Sequence, residues 1–141
     1  MKIEDTIVKE SKGTVQIVLA ETAITATNTP VAIKCAGAKR IAVDFTEGGT
    51  VNNRSGVLTI TASLDGGTNY RAYSMLISNL ANTNGQTLTR VASITRATAG
   101  TDICWLTPET LGAITHIKAN LAVTDGGSPT GNFTIRVTIE Y

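Results

Sequence analysis

Strict alternation of apolar and polar residues constrains the fold of this chain more than any other feature. Residues 56–64 show it well, with one set of positions apolar and the other mostly hydroxylated: Leu58, Ile60, Ala62 and Leu64 against Val57, Thr59, Thr61 and Ser63. A period of two is typical of a half-buried β-strand. Asp65-Gly66-Gly67 follows, and glycine tolerates the positive φ that a tight reversal needs. Residues 56–73 are therefore predicted to form a β-hairpin.

The same alternation recurs along most of the chain. It is cleanest at residues 132–141, where the predicted inward set is Phe133, Ile135, Val137, Ile139 and Tyr141. A first strand is predicted at 14–20, with Val15, Ile17 and Leu19 alternating with Gln16 and Val18. Two further acidic, glycine-containing stretches, 47–50 and 125–128, resemble the hairpin loop. Hairpin or corner turns explain them better than calcium or phosphate loops, whose ligand spacing and following helix they lack.

Eight to ten short strands of this kind predict an all-β fold, an antiparallel β-sandwich that is jelly-roll-like or immunoglobulin-like. Long crossings at 21–30 and 78–85 favour the jelly roll. Thr107-Pro108-Glu109 matches a capped helix start, so one short helical turn is predicted near 108–112. The domain prediction is an N-terminal arm at 1–13 followed by a sandwich at 14–141.

Composition excludes several classes of partner. The 141 residues carry a net charge of +1, so no basic surface favours nucleic acid or an anionic membrane. No apolar run approaches a membrane span, and the start Met1-Lys2-Ile3-Glu4-Asp5 does not resemble a signal peptide, which predicts synthesis in the cytosol. Cys35 and Cys104 lack metal-ligand spacing; two buried thiols are favoured over a disulfide.

The sequence shows no arrangement of residues that is typical of a catalytic site or a metal-binding site. The single histidine, His116, is predicted to lie on the outward side of a strand, away from any nucleophile. One histidine and two separated cysteines do not make a zinc site. The sequence therefore predicts a protein that is not an enzyme and needs no metal or cofactor. A hydrolase built around His116 is the alternative that this prediction opposes.

Binding surfaces are the remaining source of function. Residues 86–95, which include Arg90, are predicted to form a strand with apolar side chains on both faces. This pattern is typical of a strand that contacts a neighbouring subunit. The candidate subunit or capsid contacts are Ile3, Ile7 and Val8 in the arm, with Arg90 and Trp105. Sugar-binding sandwiches use exposed aromatic platforms, for which Trp105, Tyr70 and Tyr73 are the candidates. Because aromatic residues are scarce here, core or interface anchors are favoured over a sugar platform.

The hairpin carries a family resemblance. Residues 63–70, Ser-Leu-Asp-Gly-Gly-Thr-Asn-Tyr, resemble a hairpin of small β-sandwich virion proteins of tailed bacteriophages. The Thr/Ala-rich stretch 22–29, the strand 39–45 and a final strand pair at the C-terminus are similar to that group. The resemblance covers most of the chain after Thr14 and rests on turn and strand patterning.

This resemblance implies a capsid decoration (cement) or head-fibre protein. Such a protein is a structural component of the virion, made in the host cytoplasm and bound to the outer capsid surface. Its implied partners are the major capsid protein and other copies of itself, as a homotrimer. A carbohydrate-binding or host-recognition module of a phage tail or head fibre is the alternative. The resemblance transfers no catalytic residues.

Overall fold

A computed structural model describes residues 15–78, 88–106 and 111–141. Within these residues the chain forms nine strands: β1 (Val15–Ile24), β2 (Ile33–Lys34), β3 (Arg40–Ser63), β4 (Arg71–Tyr73), β5 (Met75–Ser78), β6 (Leu88–Val91), β7 (Ile94–Arg96), β8 (Gly100–Leu106) and β9 (His116–Glu140). The alternating residues predicted to be strands therefore are strands, although several predicted strands join into longer ones.

Two long strands, β3 and β9, form the centre of one antiparallel sheet. They pair from Arg40 opposite Glu140 to Ser63 opposite His116. The other edge of β9 carries β1 and β2, and the other edge of β3 carries β8, β7 and β4, with β5 and β6 beyond β8. The sheet curls into a half-barrel, which gives a sandwich-like fold. The all-β antiparallel prediction is confirmed.

The concave side of the curled sheet is the hydrophobic core. Inward side chains from both halves of β3 and β9 are completely or almost completely buried, among them Ile41, Val43, Phe45, Leu58, Ile60, Ile117, Leu121, Phe133, Ile135, Val137 and Ile139. The Phe45 and Phe133 rings stack with their centroids 5.6 Å apart. These residues are the apolar positions of the alternating sequence pattern, so burial of every second side chain, on one face of each strand, drives the fold.

The predicted turns at 47–50 and 125–128 do not reverse the chain. Both stretches lie inside strands, β3 and β9, and the pairing between these strands shifts register between Gly48 and Asn52 and again between Asn52 and Arg54. Bulges of this kind bend a strand and increase its twist. Arg54 fixes the bend, because its Nε donates to Asp125 Oδ1 at 2.7 Å. The prediction that these two stretches form hairpin turns was therefore wrong, and the glycine-rich stretches bend the sheet.

The predicted central hairpin is confirmed. Ile60 pairs with Tyr73 and Ala62 with Arg71, and the connecting loop has positive φ at Gly66 and Gly67. The Asp65 carboxylate organises this loop.

Four groups donate to that carboxylate. They are the backbone N–H of Thr68 and of Asn69, the Asn69 side chain at 2.7 Å and the Ser63 hydroxyl at 2.7 Å. These hydrogen bonds, that from the Asn69 backbone first, hold the pKa of Asp65 well below its usual range.

The two cysteines are buried free thiols, as the sequence analysis favoured. Burial raises the pKa of Cys35 to about 11 and that of Cys104 to about 12. Neither thiol is therefore ionised near neutral pH, and both act as small apolar side chains.

Two sequence predictions fall on residues that the structure does not describe. The N-terminal arm at 1–13 lies outside the described residues. Most of the helical turn predicted near 108–112 does too. Leu111, where the description resumes, is buried.

Candidate functional site

Outward side chains of four neighbouring strands form one continuous surface, which we call the Trp105 face. It comprises Ile17 of β1; Arg136, Thr138 and Glu140 of β9; Arg40, Ala42 and Asp44 of β3; and Ile103 and Trp105 of β8. Register partners in an antiparallel sheet share a face, and these residues are partners across the four strands. The site is therefore the side of the curled sheet opposite the core, and it carries a groove.

An apolar row crosses the middle of the Trp105 face. Ile17 pairs with Thr138, Thr138 with Ala42, and Ala42 with Trp105. Ile17 and Trp105, at the two ends, are 42% and 39% exposed and are two of the four large hydrophobic side chains that are exposed among the described residues. The residues on either side of Trp105, Cys104 and Leu106, point inwards and are buried. Large apolar side chains in contiguous rows mark contact sites more often than scattered ones do.

Four charged residues flank the centre of this row. Arg40 and Glu140 are opposite one another on one side, with Arg40 Nε 2.8 Å from Glu140 Oε2. Asp44 and Arg136 are opposite one another on the other side. Along each strand and across each pair the sign alternates, so the face has balanced charge and a checkerboard order.

A groove of about 420 Å³ lies over β3, β8 and β9. It is lined by Arg40, Ala42, Asp44, Ile103, Trp105, Thr138 and Glu140. Its apolar base is suited to packing against another surface, and its ionised groups supply hydrogen bonds at the rim. That combination, with an aromatic anchor in a polar frame, is typical of the centre of a protein contact.

Two of the predicted contact residues lie in the same row. Leu76 of β5 pairs with Trp105 and also with Arg90 of β6. The row therefore continues across two more strands, through the partly buried Leu76 to the exposed, charged Arg90. The structure therefore brings Arg90 and Trp105 onto one side of the sheet, whereas Ile3, Ile7 and Val8 lie outside the described residues.

Sequence reasoning missed Ile17. The alternation at the chain start groups it on one side of the strand with Leu19, but the structure places the two on opposite faces. Ile17 pairs with Thr138 and Leu19 with Val137, so Val18 is an extra residue in a β-bulge. One inserted residue moves a side chain to the other face. Only the pairing with β9 reveals this, since the local pattern around a bulge still alternates.

The other sugar-platform candidates do not present open rings. The Lys118 ammonium lies 4.2 Å from the Tyr70 ring centroid. Tyr73 is partly buried against the core. His116 is also partly buried, with its Nδ1 3.1 Å from the Thr115 hydroxyl. Trp105 is therefore the candidate aromatic with an accessible side chain.

Glu47 is a buried charged residue at the edge of the core, away from the Trp105 face. It is 1% exposed, and among the described residues neither carboxyl oxygen has a hydrogen-bond partner. Burial raises the pKa of Glu47, and the nearby positive charge of Arg96 partly opposes the rise. Arg96 itself donates to Asp102 at 2.6 Å and to two loop carbonyls. The glutamate is thus an uncompensated group in the folded state.

Replacing Glu47 with glutamine is expected to raise the free energy of unfolding at pH 7 by about 1 kcal/mol, since the charge penalty is removed while an unpaired polar group remains. Burial raises the pKa of Glu47 in the folded state. Its contribution to the free energy of unfolding is therefore fully present below the ordinary pKa of 4.5 and is lost as pH rises through the folded-state pKa. The stability gap between the two proteins should therefore close below about pH 4.5.

Urea unfolding from pH 4 to pH 8 measures this gap. Glu21→Gln, at a partly exposed carboxylate, serves as the control and should change little. A Glu47→Gln protein that is less stable than the native one at pH 7 would contradict the assignment.

The described residues contain no cluster of three or more histidine, cysteine or acidic side chains placed to hold a metal ion. No helix among them is long and apolar enough to span a membrane.

Comparison with protein-family models, with curated proteins and with solved structures gives no match to this chain. The Trp105 face is therefore characterised by its own residues.

Proposed function

We propose that this chain is a non-enzymatic structural protein of a tailed-bacteriophage particle. In this proposal it decorates the outer capsid surface, binds the major capsid protein and stabilises the shell, after synthesis in the host cytoplasm. The observation that carries the proposal is the Trp105 face, where an exposed tryptophan lies in an apolar row framed by balanced charges. Such a surface suits contact with another protein.

Two features of the whole chain support the same role. Its sequence resembles the β-sandwich virion proteins at the 63–70 hairpin, and that hairpin is well formed in the structure. Its low charge leaves a surface that is buried against neighbours at small desolvation cost. The homotrimer that the resemblance implies stays a prediction.

Capsid shells of the encoding phage, prepared without this protein, test the proposal. Purified protein added to them is expected to co-sediment, to saturate at a fixed number of copies per capsomer and to raise the temperature at which the shells disassemble. Saturation distinguishes lattice sites from general adhesion, and shells that already carry the protein are the control. Failure both to bind and to stabilise the shells would refute the decoration role.

A carbohydrate-binding module is the second candidate, favoured by the same tryptophan. That alternative expects an aromatic exposed beside polar groups in a shallow groove, and Trp105 lies in a groove with Arg40, Asp44 and Thr138. Against it, Arg40 is already paired with Glu140, and the apolar row continues to Ile17, about 14 Å away at ordinary strand spacing. A glycan array, or quenching of Trp105 fluorescence on adding sugars, decides between the two.

A further inference from the structure

We propose that the Trp105 face binds a second copy of this chain. The two copies pack sheet against sheet, related by a two-fold axis that runs parallel to the strands, midway between β3 and β9. This inference rests on the proposal that the Trp105 face is a protein contact, and it assigns that contact to a second copy of the chain, so that the capsid would be bound by another surface and a two-fold pair replaces the homotrimer that the resemblance implies. The argument is that the face is complementary to itself.

The apolar side chains are placed symmetrically about this axis. In order across the sheet the central row is Ile17, Thr138, Ala42 and Trp105, one from each of β1, β9, β3 and β8. A two-fold axis between β9 and β3 places Trp105 over Ile17 of the second copy and Ala42 over its Thr138. The two exposed hydrophobic side chains of the face therefore cover each other, which happens twice in the pair.

The charges obey the same symmetry. The axis places Arg40 over Glu140 of the second copy, and it places Asp44 over Arg136. Each positive group therefore meets a negative one, and no like charges face each other. Opposite charges on register partners also stabilise the β3–β9 pair within one chain, and the two-fold arrangement uses the same groups between copies.

The size of the face sets the strength of the contact. Four strands at about 4.8 Å spacing and five residues at about 3.3 Å give roughly 19 Å by 17 Å, or about 320 Å² on each copy. That is below the roughly 800 Å² that each partner of a stable specific complex buries, so the contact is expected to be weak. We expect a reversible dimer whose population depends on concentration.

Two charge variants test self-recognition directly. Arg40→Glu with Arg136→Glu makes the four charges of the face acidic, and Asp44→Lys with Glu140→Lys makes them basic. Each variant alone is expected to sediment as a monomer at concentrations where the native chain forms dimers, because like charges now oppose each other. Mixed in equal amounts, they are expected to form a one-to-one heterodimer. This restoration also shows that both variants are folded.

Trp105→Glu is expected to raise the dimer dissociation constant about 30-fold or more, because it removes an aromatic anchor and places a charge against Ile17 of the second copy. Leu64→Glu is the matched control, since Leu64 is 66% exposed but lies next to the hairpin loop, off the Trp105 face. It should leave the constant unchanged. Sedimentation velocity over a concentration series measures both.

The outcomes separate this inference from the proposed function. A native chain that is monomeric or trimeric at every concentration, or charge variants that do not recombine, would overturn the two-fold contact. If such a chain still bound and stabilised capsid shells, the decoration role would stand without the dimer. Dimers that form and recombine but leave the shells unbound would support the contact and refute the decoration role.

Discussion

Alanine in place of Phe133 is expected to lower the free energy of unfolding by about 3–5 kcal/mol. Phe133 is completely buried, its ring stacks on Phe45, and it lies in β9 just beyond the bend. The substitution removes the ring from the place where the two halves of the sheet meet and leaves a cavity that surrounding strands cannot fill without moving. The loss therefore combines transfer free energy with a cavity cost.

Chemical denaturation of Phe133→Ala and Phe133→Leu measures this prediction. The leucine variant keeps much of the volume, so it should lose clearly less and should remain folded even when the alanine variant does not. Thr134→Ala, at the adjacent partly exposed position, is the control and should stay within about 0.5 kcal/mol of the native protein. A loss below about 1 kcal/mol for Phe133→Ala would mean that the ring is not part of a packed core.

Valine in place of Gly56 is expected to cost about 3 kcal/mol, at the upper end of overpacking effects. A Cβ at this position would lie 2.7 Å from Phe133 Cζ and 3.1 Å from Leu121 Cδ1, closer than packed atoms approach. Both neighbours are fully buried and have no free space to enter. Valine favours strands intrinsically, so a loss of stability here has to come from the clash.

A double-mutant cycle isolates that clash. Shortening Phe133 to leucine makes room beside residue 56, so Gly56→Val combined with Phe133→Leu should cost less than the sum of the two single changes. Gly127→Val is the control, because a Cβ there meets no atom within 4 Å. Strict additivity, or an equal loss at Gly127, would contradict the close contact between Gly56 and Phe133.

The sequence pattern predicted which side chains build the core, because the alternation of apolar side chains on one face is a local property of each strand. Ile135, Val137 and Ile139 are buried as expected, and the 56–73 hairpin forms around its acidic loop. Leu64 is one exception: it belongs to the apolar set of its strand, yet it is 66% exposed because the strand ends at Ser63. A period alone does not show where a strand stops.

Features that depend on pairing between distant strands were harder to predict from the sequence. Glycine-rich stretches at 47–50 and 125–128 have the composition of turns, and whether they reverse or bend the chain depends on the partner strand. The Trp105 face was predicted in part: Arg136 and Glu140 alternate with the predicted inward set of residues 132–141, and Trp105 and Arg90 were candidate contacts. At its other end, the alternation grouped Ile17 with Leu19, because the bulge at Val18 is set by the register with β9 and is not visible in the local pattern.

Fluorescence of Trp105 tests the central claim most directly, since it is the single tryptophan of the chain and lies in the proposed contact. Its emission maximum and its quenching by acrylamide are measured from about 1 µM to about 1 mM, a range that spans weak to moderate association. The account predicts a blue shift and reduced quenching as concentration rises in the native chain, and no change in the all-acidic variant. Identical, concentration-independent emission and quenching in both proteins would contradict it.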